Sequence, residues 1–284
     1  MSTKASKPIR VTKKSGETEP FDVSKLKASL NQAGADPDVV NRIAEDISGW
    51  AVDGVTTGKI YARAYKLFRN LRGNKASRYQ LKKALLNMGP TGYPFEHLIG
   101  ELFRRQGYEV EVGRVVEGVS ITHEMDVIAT KEDQQHLMEC KYSRDQGSRI
   151  SVQVPLYVHS RVNDIVEKRR QHKRYQNVSF TPWVVTNARF SSDSMEYSRC
   201  KGIHLLGWDY PHGLALKELL EKERIFPITI LRHLTKNDKQ RLMADGIVTC
   251  TQLSEQPNRL HHLGLSKRKQ QSVANEIEEL TGKP

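Results

Sequence analysis

The 284-residue chain is poor in cysteine, and Cys140, Cys200 and Cys250 stand far apart without forming a Cys-x-x-Cys. That excludes a zinc ribbon and a disulfide framework, and buried reduced thiols are expected. No run approaches the roughly 20 apolar residues that a membrane helix needs. Met1–Arg10 is polar and lysine-bearing, unlike a secretory signal, so a soluble cytoplasmic protein with no membrane partner is expected. A Gly-x-x-x-x-Gly-Lys phosphate loop is also missing. Acid is in short supply: 33 Asp and Glu face 45 Lys and Arg, for a net charge of +12. Such a surplus favours an acidic partner, nucleic acid being the commonest, although a uniformly basic surface has the same composition. With 37% hydrophobic residues, packed cores remain within reach.

Three segments are legible, with boundaries at 1–89, 90–210 and 211–284. In the first, Ile9–Lys13 and Glu17–Phe21 flank the turn signal Ser15-Gly16 and predict a small hairpin. Asp22 has N-cap chemistry for a helix over Val23–Ala33, ended by Gly34. Asp36–Trp50 carries Val39, Val40, Ile43 and Ile47 at helical spacing. Thr56 or Thr57 caps a third helix through Leu71, and Ala76–Met88 reads as a fourth. After the break Gly89-Pro90-Thr91-Gly92, Pro94 opens a helix that runs to Gly107. Tyr108–Val112, Glu124–Thr130 and His136–Tyr142 then read as strands, Pro155–Tyr175 as a basic helix and Pro182–Thr186 as a buried strand. Ser191 or Ser192 caps a short helix, and Ile203–Trp208 is one more strand. Strands with flanking helices imply a mixed α/β sandwich. After Tyr210-Pro211-His212-Gly213 the pattern is helical throughout, interrupted at Gly246 and Gly264.

The two strands joined by the charged loop 131–135 carry the strongest chemical signal. Glu139 and Lys141 are two apart and share a face. An antiparallel neighbour places Asp126 beside Glu139. Two carboxylates suit a hard cation that favours oxygen ligands. Such a cation polarises a phosphate and lowers the pKa of its water, and a nearby lysine orients that water or neutralises developing charge. A Glu–Lys pair on an exposed sheet face has the same appearance, so the triplet alone decides little. Its context adds weight: both strands have apolar opposite faces, and the acid Glu96 precedes them on a helix.

Glu96 on a helix, Gly107-Tyr108 entering a strand, Asp126, and Glu139-Cys140-Lys141 together resemble the PD-(D/E)xK nuclease superfamily. The run from Tyr93 to Tyr142 is similar to its restriction-endonuclease-like, Mrr-type branch. The resemblance implies a restriction-endonuclease-like α/β/α core cutting DNA with Mg²⁺ or Mn²⁺. Asp126 and Glu139 would be metal ligands, Lys141 the catalytic lysine, Glu96 the helix acid, and the Cys140 carbonyl a further metal contact. Met125 stands where the superfamily has proline. His123 and Glu124 fall beside this centre, and Gln153 and Tyr157 have a Gln-x-x-x-Tyr spacing found in some relatives.

In the N-terminal segment, Lys13 and Lys14 lead into a turn, with Glu19 and Lys25 following. Clustered lysines beside a turn suit a polyphosphate, although the bare residues read first as a solvated basic hairpin. Val11, Lys13, Lys14, Gly16, Glu19, Phe21-Asp22, Lys25-Leu26, Ala33-Gly34, Thr57 and Ile60, taken in order, resemble the ATP-cone regulatory domain. That likeness implies ATP or dATP as a regulatory ligand, with Val11, Lys13, Lys14, Glu19, Lys25 and Thr57 as binding residues. Ser15 stands where the family usually has aspartate, and Lys14 where it often has arginine. A cone fused to a restriction-like nuclease has this order of segments.

Arg161, Lys168, Arg169, Arg170, Lys173 and Arg174 load one helical stretch, either as a solvated face or as DNA-backbone contacts. In the tail, Leu242-x-x-x-Gly246-Ile247 and Leu263-Gly264-Leu265 followed by Lys267, Arg268 and Lys269 resemble helix-hairpin-helix modules, whose hairpin amides approach phosphate. A packing or dimerising domain has a similar pattern. The expectation is therefore a metal-dependent DNA endonuclease regulated by nucleotide, with a homodimer or higher oligomer suited to double-strand cutting. The alternative is a non-catalytic, nucleotide-responsive DNA-binding regulator. An enzyme of nucleotide metabolism would lack its radical-site cysteine pattern here.

Overall fold

The structure is a computed structural model, and it describes residues 9–13, 15–33, 35–72, 80–145 and 147–282. The chain divides into two compact units, one of residues 1–81 with 278–284 and the other of residues 82–277. The second unit holds both the strand-rich segment and most of the helical tail. The tail is joined to the rest of that unit by hydrogen bonds such as Thr229 Oγ1 donating to the Ala84 carbonyl at 2.7 Å.

The first unit opens with β1 (Arg10–Thr12) and β2 (Thr18–Pro20), antiparallel with Val11 opposite Glu19. Asp22 caps α1 (Val23–Gln32) by accepting from the Ser24 amide at 2.9 Å, as its residue type predicts. Next come α2 (Pro37–Trp50), β3 (Val55–Thr56) and α3 (Thr57–Arg72). β3 pairs parallel with β1, Val55 opposite Val11. Two residues are too short to show a period, which is why this strand was not legible. The core gathers Val11, Leu26, Leu30, Val40, Ile43, Ile47, Ala64 and Phe68, the i, i+3, i+4 face of each helix. The helix predicted over Ala76–Met88 appears as the shorter α4 (Leu81–Leu86); the predicted start and the Gly34 stop lie outside the described residues.

The second unit is built on a five-stranded sheet of order β10-β8-β6-β5-β4. Its strands are β4 (Glu109–Glu117), β5 (Thr122–Lys131), β6 (Gln134–Lys141), β8 (Ser179–Thr186) and β10 (His204–Leu206). β4, β5 and β6 run antiparallel, while β8 and β10 continue parallel to β6. β7 (Arg149–Ile150) and β9 (Arg189–Phe190) form a separate parallel pair. α5 (Tyr93–Arg105) precedes β4, α6 (Gln153–Arg170) lies between β7 and β8, and α7 (Ser192–Lys201) between β9 and β10. α5 buries Phe95, Leu98, Ile99, Leu102 and Phe103. α6 contributes Val158, Val162 and Ile165 to a cluster with Met125, Leu137 and Val184. β6 is almost wholly buried, as a central strand covered by helices should be. α7 is capped by Ser191, which accepts from the Ser194 amide.

Beyond the sheet come α8 (Leu216–Lys222), α9 (Lys236–Ala244), α10 (Cys250–Glu255), α11 (Asn258–His262) and α12 (Lys267–Thr281). Capping boxes start α9 at Thr235 with Asp238 and α10 at Thr249 with Gln252. Gly246 and Gly264, with φ of 78° and 72°, follow α9 and α11, the left-handed turns that glycine adopts without a steric cost. Glu276 on α12 is fully buried and receives the amides of Arg232 and His233 at 3.0 and 3.3 Å. Of the cysteines, Cys140 and Cys250 are buried and Cys200 is exposed, so the expectation of burial fails for Cys200. Among the described residues no helix is long and apolar enough to cross a membrane.

Candidate active site

Antiparallel pairing of β5 and β6 sets Val127 opposite Met138, so the next pair in register is Asp126 and Glu139. Asp126 Oδ2 accepts the Cys140 amide at 2.6 Å, which clips the two strands together at this point. Glu139 is buried, and each of its oxygens meets a cation: Lys141 Nζ at 2.5 Å from Oε1 and Arg161 Nη1 at 2.5 Å from Oε2. Arg161 also donates to the Glu124 carbonyl at 2.9 Å and lies 4.1 Å over the Tyr157 ring. The predicted triplet of Asp126, Glu139 and Lys141 is thus brought together.

Arg161 belongs to this centre and is not a free surface cation. The sequence pattern groups it with a basic stripe, solvated or DNA-facing, because nothing in the helix period reveals that α6 aims it at β6. Another pair was missed as a pair. His123 Nε2 lies 2.7 Å from Asp164, which also accepts the Ser120 amide at 2.9 Å. Hydrogen bonding to His123 and that amide holds the Asp164 carboxyl well below the usual carboxylate range.

The electrostatics of the centre are those of crowded acid. Burial, followed by repulsion from Asp126, Glu124 and Glu139, raises the Glu96 pKa to about 7. Burial and the Glu139 charge raise Asp126 to about 6, against the Cys140 amide that opposes the shift. The Cys140 thiol is pushed up by burial and by the same acids, so it is no nucleophile here. Carboxylates held this close favour either protons or a cation.

Among the described residues no three Asp, Glu, His or Cys side chains form a ready metal cage. Mg²⁺ does not require one: it commonly takes one or two carboxylates and keeps several waters. Asp126 and Glu139, with the adjacent Cys140 carbonyl, offer only oxygen, and their repulsion is the deficit a divalent cation would remove. The donor set therefore fits such an ion, with Lys141 and Arg161 balancing Glu139 in its absence.

The other expected ligand residues fall as follows. Val11 is a core residue, so its side chain faces no ligand. Lys13 Nζ lies 2.8 Å from Glu19, and Lys25 Nζ 3.4 Å from it, so three of the expected polyphosphate residues do meet, mutually neutralised. Lys13, then burial opposing, then Lys25 set the Glu19 pKa, which is lowered overall. Thr57 opens α3, and Lys14 lies outside the described residues. On and after α6, Arg170, Lys173 and Arg174 are exposed and Lys168 is half-buried, whereas Arg169 is 8% exposed. Arg169 is therefore no member of a solvent-facing stripe. Lys267 and Arg268 are exposed at the start of α12, and Lys269 sits 3.8 Å from Asp238.

Comparison with known proteins bears on this arrangement. A family model described as restriction endonuclease matches residues 88–210, the segment that holds the whole centre, and one described as AF1548-like, C-terminal matches residues 226–281. An uncharacterized protein of Archaeoglobus fulgidus is 31% identical over 189 residues, spanning 65% of this chain and 100% of its own. The chain belongs to this AF1548-like family. A crystal structure of AF1548, a protein of unknown function, superposes with a TM-score of 0.55 at 28% identity, covering 68% of this chain and 99% of that one. Can2 from Sulfobacillus thermosulfidooxidans, solved with cyclic tetra-adenylate, is similar at a TM-score of only 0.30 and 12% identity, over 73% of this chain and 63% of that one, too little to bear on this one. In this AF1548-like chain the α/β core is a restriction-endonuclease-like domain followed by a helical C-terminal region. A nuclease-like domain implies a nucleic-acid substrate.

Proposed function

We propose that the chain is a metal-dependent deoxyribonuclease that hydrolyses DNA phosphodiesters at Asp126, Glu139 and Lys141. The observation that carries this reading is the convergence of these three side chains where the middle of β5 runs beside the C-terminal end of β6, within the segment matched by the restriction-endonuclease model. Asp126 and Glu139, with the Cys140 carbonyl, would hold Mg²⁺ or Mn²⁺. The bound ion would supply Lewis acidity toward the phosphate and a water of lowered pKa. Lys141, salt-bridged to Glu139, is positioned to orient the attacking water and to offset charge that develops on phosphorus oxygens. Arg161 fixes Glu139 from the opposite oxygen, and Glu96 sets the proton balance of the acid cluster. α12 with Lys267, Arg268 and Lys269 helps hold DNA.

The N-terminal unit is proposed as an ATP-cone-like sensor for ATP or dATP. This reading is supported by the meeting of Lys13, Glu19 and Lys25. A nucleotide that competes with Glu19 for these lysines, and binds two states of the protein unequally, would alter cleavage.

The test is cleavage of supercoiled, linear and methylated DNA with Mg²⁺ or Mn²⁺, run with no nucleotide, ATP or dATP. Metal-dependent cutting that is lost in Lys141→Ala and Asp126→Ala supports the nuclease. Salt-sensitive binding without cutting under any condition favours a nucleotide-responsive DNA-binding regulator. Nucleotide binding that persists in Lys13→Ala removes the sensor reading.

A further inference from the structure

The last two turns of α6 and the turn that follows it wall a cleft against the edge strand β4. Its volume is about 560 Å³, within the roughly 300–1,000 Å³ range of small-ligand sites. Its walls carry Arg114, Lys168, Arg169 and Arg174 against two acids, Glu111 and Glu117. Both acids already have partners: Arg114 lies 2.8 Å from Glu111, and Lys168 3.8 Å from Glu117.

Arg169 has none. It is 8% exposed, and its Nη1 is buried without a hydrogen-bond partner among the described residues. Its guanidinium is held between aromatic faces, 5.1 Å from the Tyr175 ring and 5.9 Å from Phe180. Ring faces attract a cation but do not accept the fork of N–H groups that a guanidinium presents. Arginine is almost never fully buried unless paired, because a buried charge without a counterion is costly. Arg161, two turns earlier on the same helix, obeys this rule through Glu139. The cleft around Arg169 is short of one anion. A planar guanidinium fork beside an aromatic ring, with exposed Arg174 lying 4.5 Å over the same Tyr175, matches a pair of phosphate oxygens.

We propose that this cleft binds a phosphate group of the nucleic-acid substrate, gripping the strand away from the cutting centre. The anion site stands on Arg169 alone; only the source of the phosphate rests on the nuclease reading.

The full-length chain is used in EDTA, so that nothing is cut. Melting is followed as inorganic phosphate replaces chloride at constant ionic strength. The expected result is a phosphate-dependent rise for the native protein. Arg169→Met melts higher than the native protein without phosphate, since the unpaired charge is gone, and loses the response. Binding is then read by fluorescence polarisation with 5′-phosphorylated and 5′-hydroxyl single strands and the matching duplex. The rim variant Lys168→Ala/Arg174→Ala keeps the buried arginine and is expected to bind about tenfold more weakly. Its salt slope should fall by about one. A preference for the 5′-phosphate assigns the cleft to a strand end, and equal binding assigns it to backbone diester. An Arg169→Met protein that responds to phosphate as the native one does, or a rim variant with unchanged affinity and slope, overturns the proposal. Cleavage is assayed separately: its absence beside an intact Arg169-dependent phosphate response removes the nuclease reading and leaves the anion cleft standing.

Discussion

Replacing Glu96 by Gln tests the acid crowding on which the proposed metal site depends. In the folded protein this carboxyl titrates near 7 instead of its usual 4.5. The folded state therefore binds the Glu96 proton more tightly than the unfolded state, and stability falls as pH rises from about 4.5 to 7, then levels off. At 1.36 kcal/mol per pKa unit, the penalty above pH 7 is about 3 kcal/mol. Part of it arises from the charge of Asp126 and belongs to the two groups together. Solvent access reduces it further, so about 1.5 kcal/mol is the expected gain for Glu96→Gln. For a unit of this size that raises the melting temperature by about 3–6 °C. The gain should appear at pH 8 in EDTA and shrink to about a quarter at pH 5, where the native Glu96 already carries its proton. Millimolar Mg²⁺ should stabilise the native protein more at pH 8 than at pH 5.5, and close the gap to Glu96→Gln. Scanning calorimetry across these conditions measures all of this. Coincident melts at pH 8 in EDTA, or a gain that does not change with pH, would refute the reasoning.

Arg161→Met leaves Glu139 with one of its two cations, and both partners are largely buried, at 14% and 4% side-chain exposure. A loss of about 3 kcal/mol in urea unfolding is expected, with recovery in the Arg161→Met/Glu139→Gln double variant. Glu276→Gln removes a fully buried carboxylate that bonds Arg232 and His233 through backbone and side chains. It should cost about 2–4 kcal/mol and raise hydrogen exchange first in α9 and α12. Gly118→Ala would set a Cβ 1.9 Å from Asp164 Oδ2 and 2.7 Å from the Ile121 carbonyl. A loss of about 1–3 kcal/mol in thermal unfolding, together with release of the His123–Asp164 contact in the imidazole NMR signals, is expected.

The two strands of the candidate site were legible in the sequence because their signal is local. A period of two places Glu139 and Lys141 together, and a short charged loop allows only one antiparallel neighbour for Asp126. β5 and β6 begin within two residues of the predicted starts. β4 ends five residues beyond its apolar pattern, since the additional length is an edge with exposed residues on both faces. β3 was missed because two residues carry no pattern, and its pairing with β1 is non-local.

The basic helix is where sequence and structure part company, and the reason is physical. Arg161 and Arg169 both read as members of one cationic stripe. They are eight residues apart, about 80° around the helix, and flank the buried Ile165 on either side. The face they flank is the one packed on the sheet, so both guanidinium groups leave water. Whether a buried cation stabilises the fold then depends on what the opposite strand presents, and no helical period encodes that. For Arg161 the strand presents Glu139, and the pair becomes part of the acid cluster. For Arg169 the surroundings are the Phe180 ring on β8, the Tyr175 ring in the turn after α6, and the cleft against β4. The same residue type on the same helix thus serves two ends: one charge already balanced within the protein, the other left for an anion from outside. Arg169→Met and Arg161→Met should therefore move stability in opposite directions in phosphate-free buffer, the first upward and the second downward. A parallel loss in both would mean that the two arginines are packed alike, and that the cleft has no unmet charge to offer a phosphate.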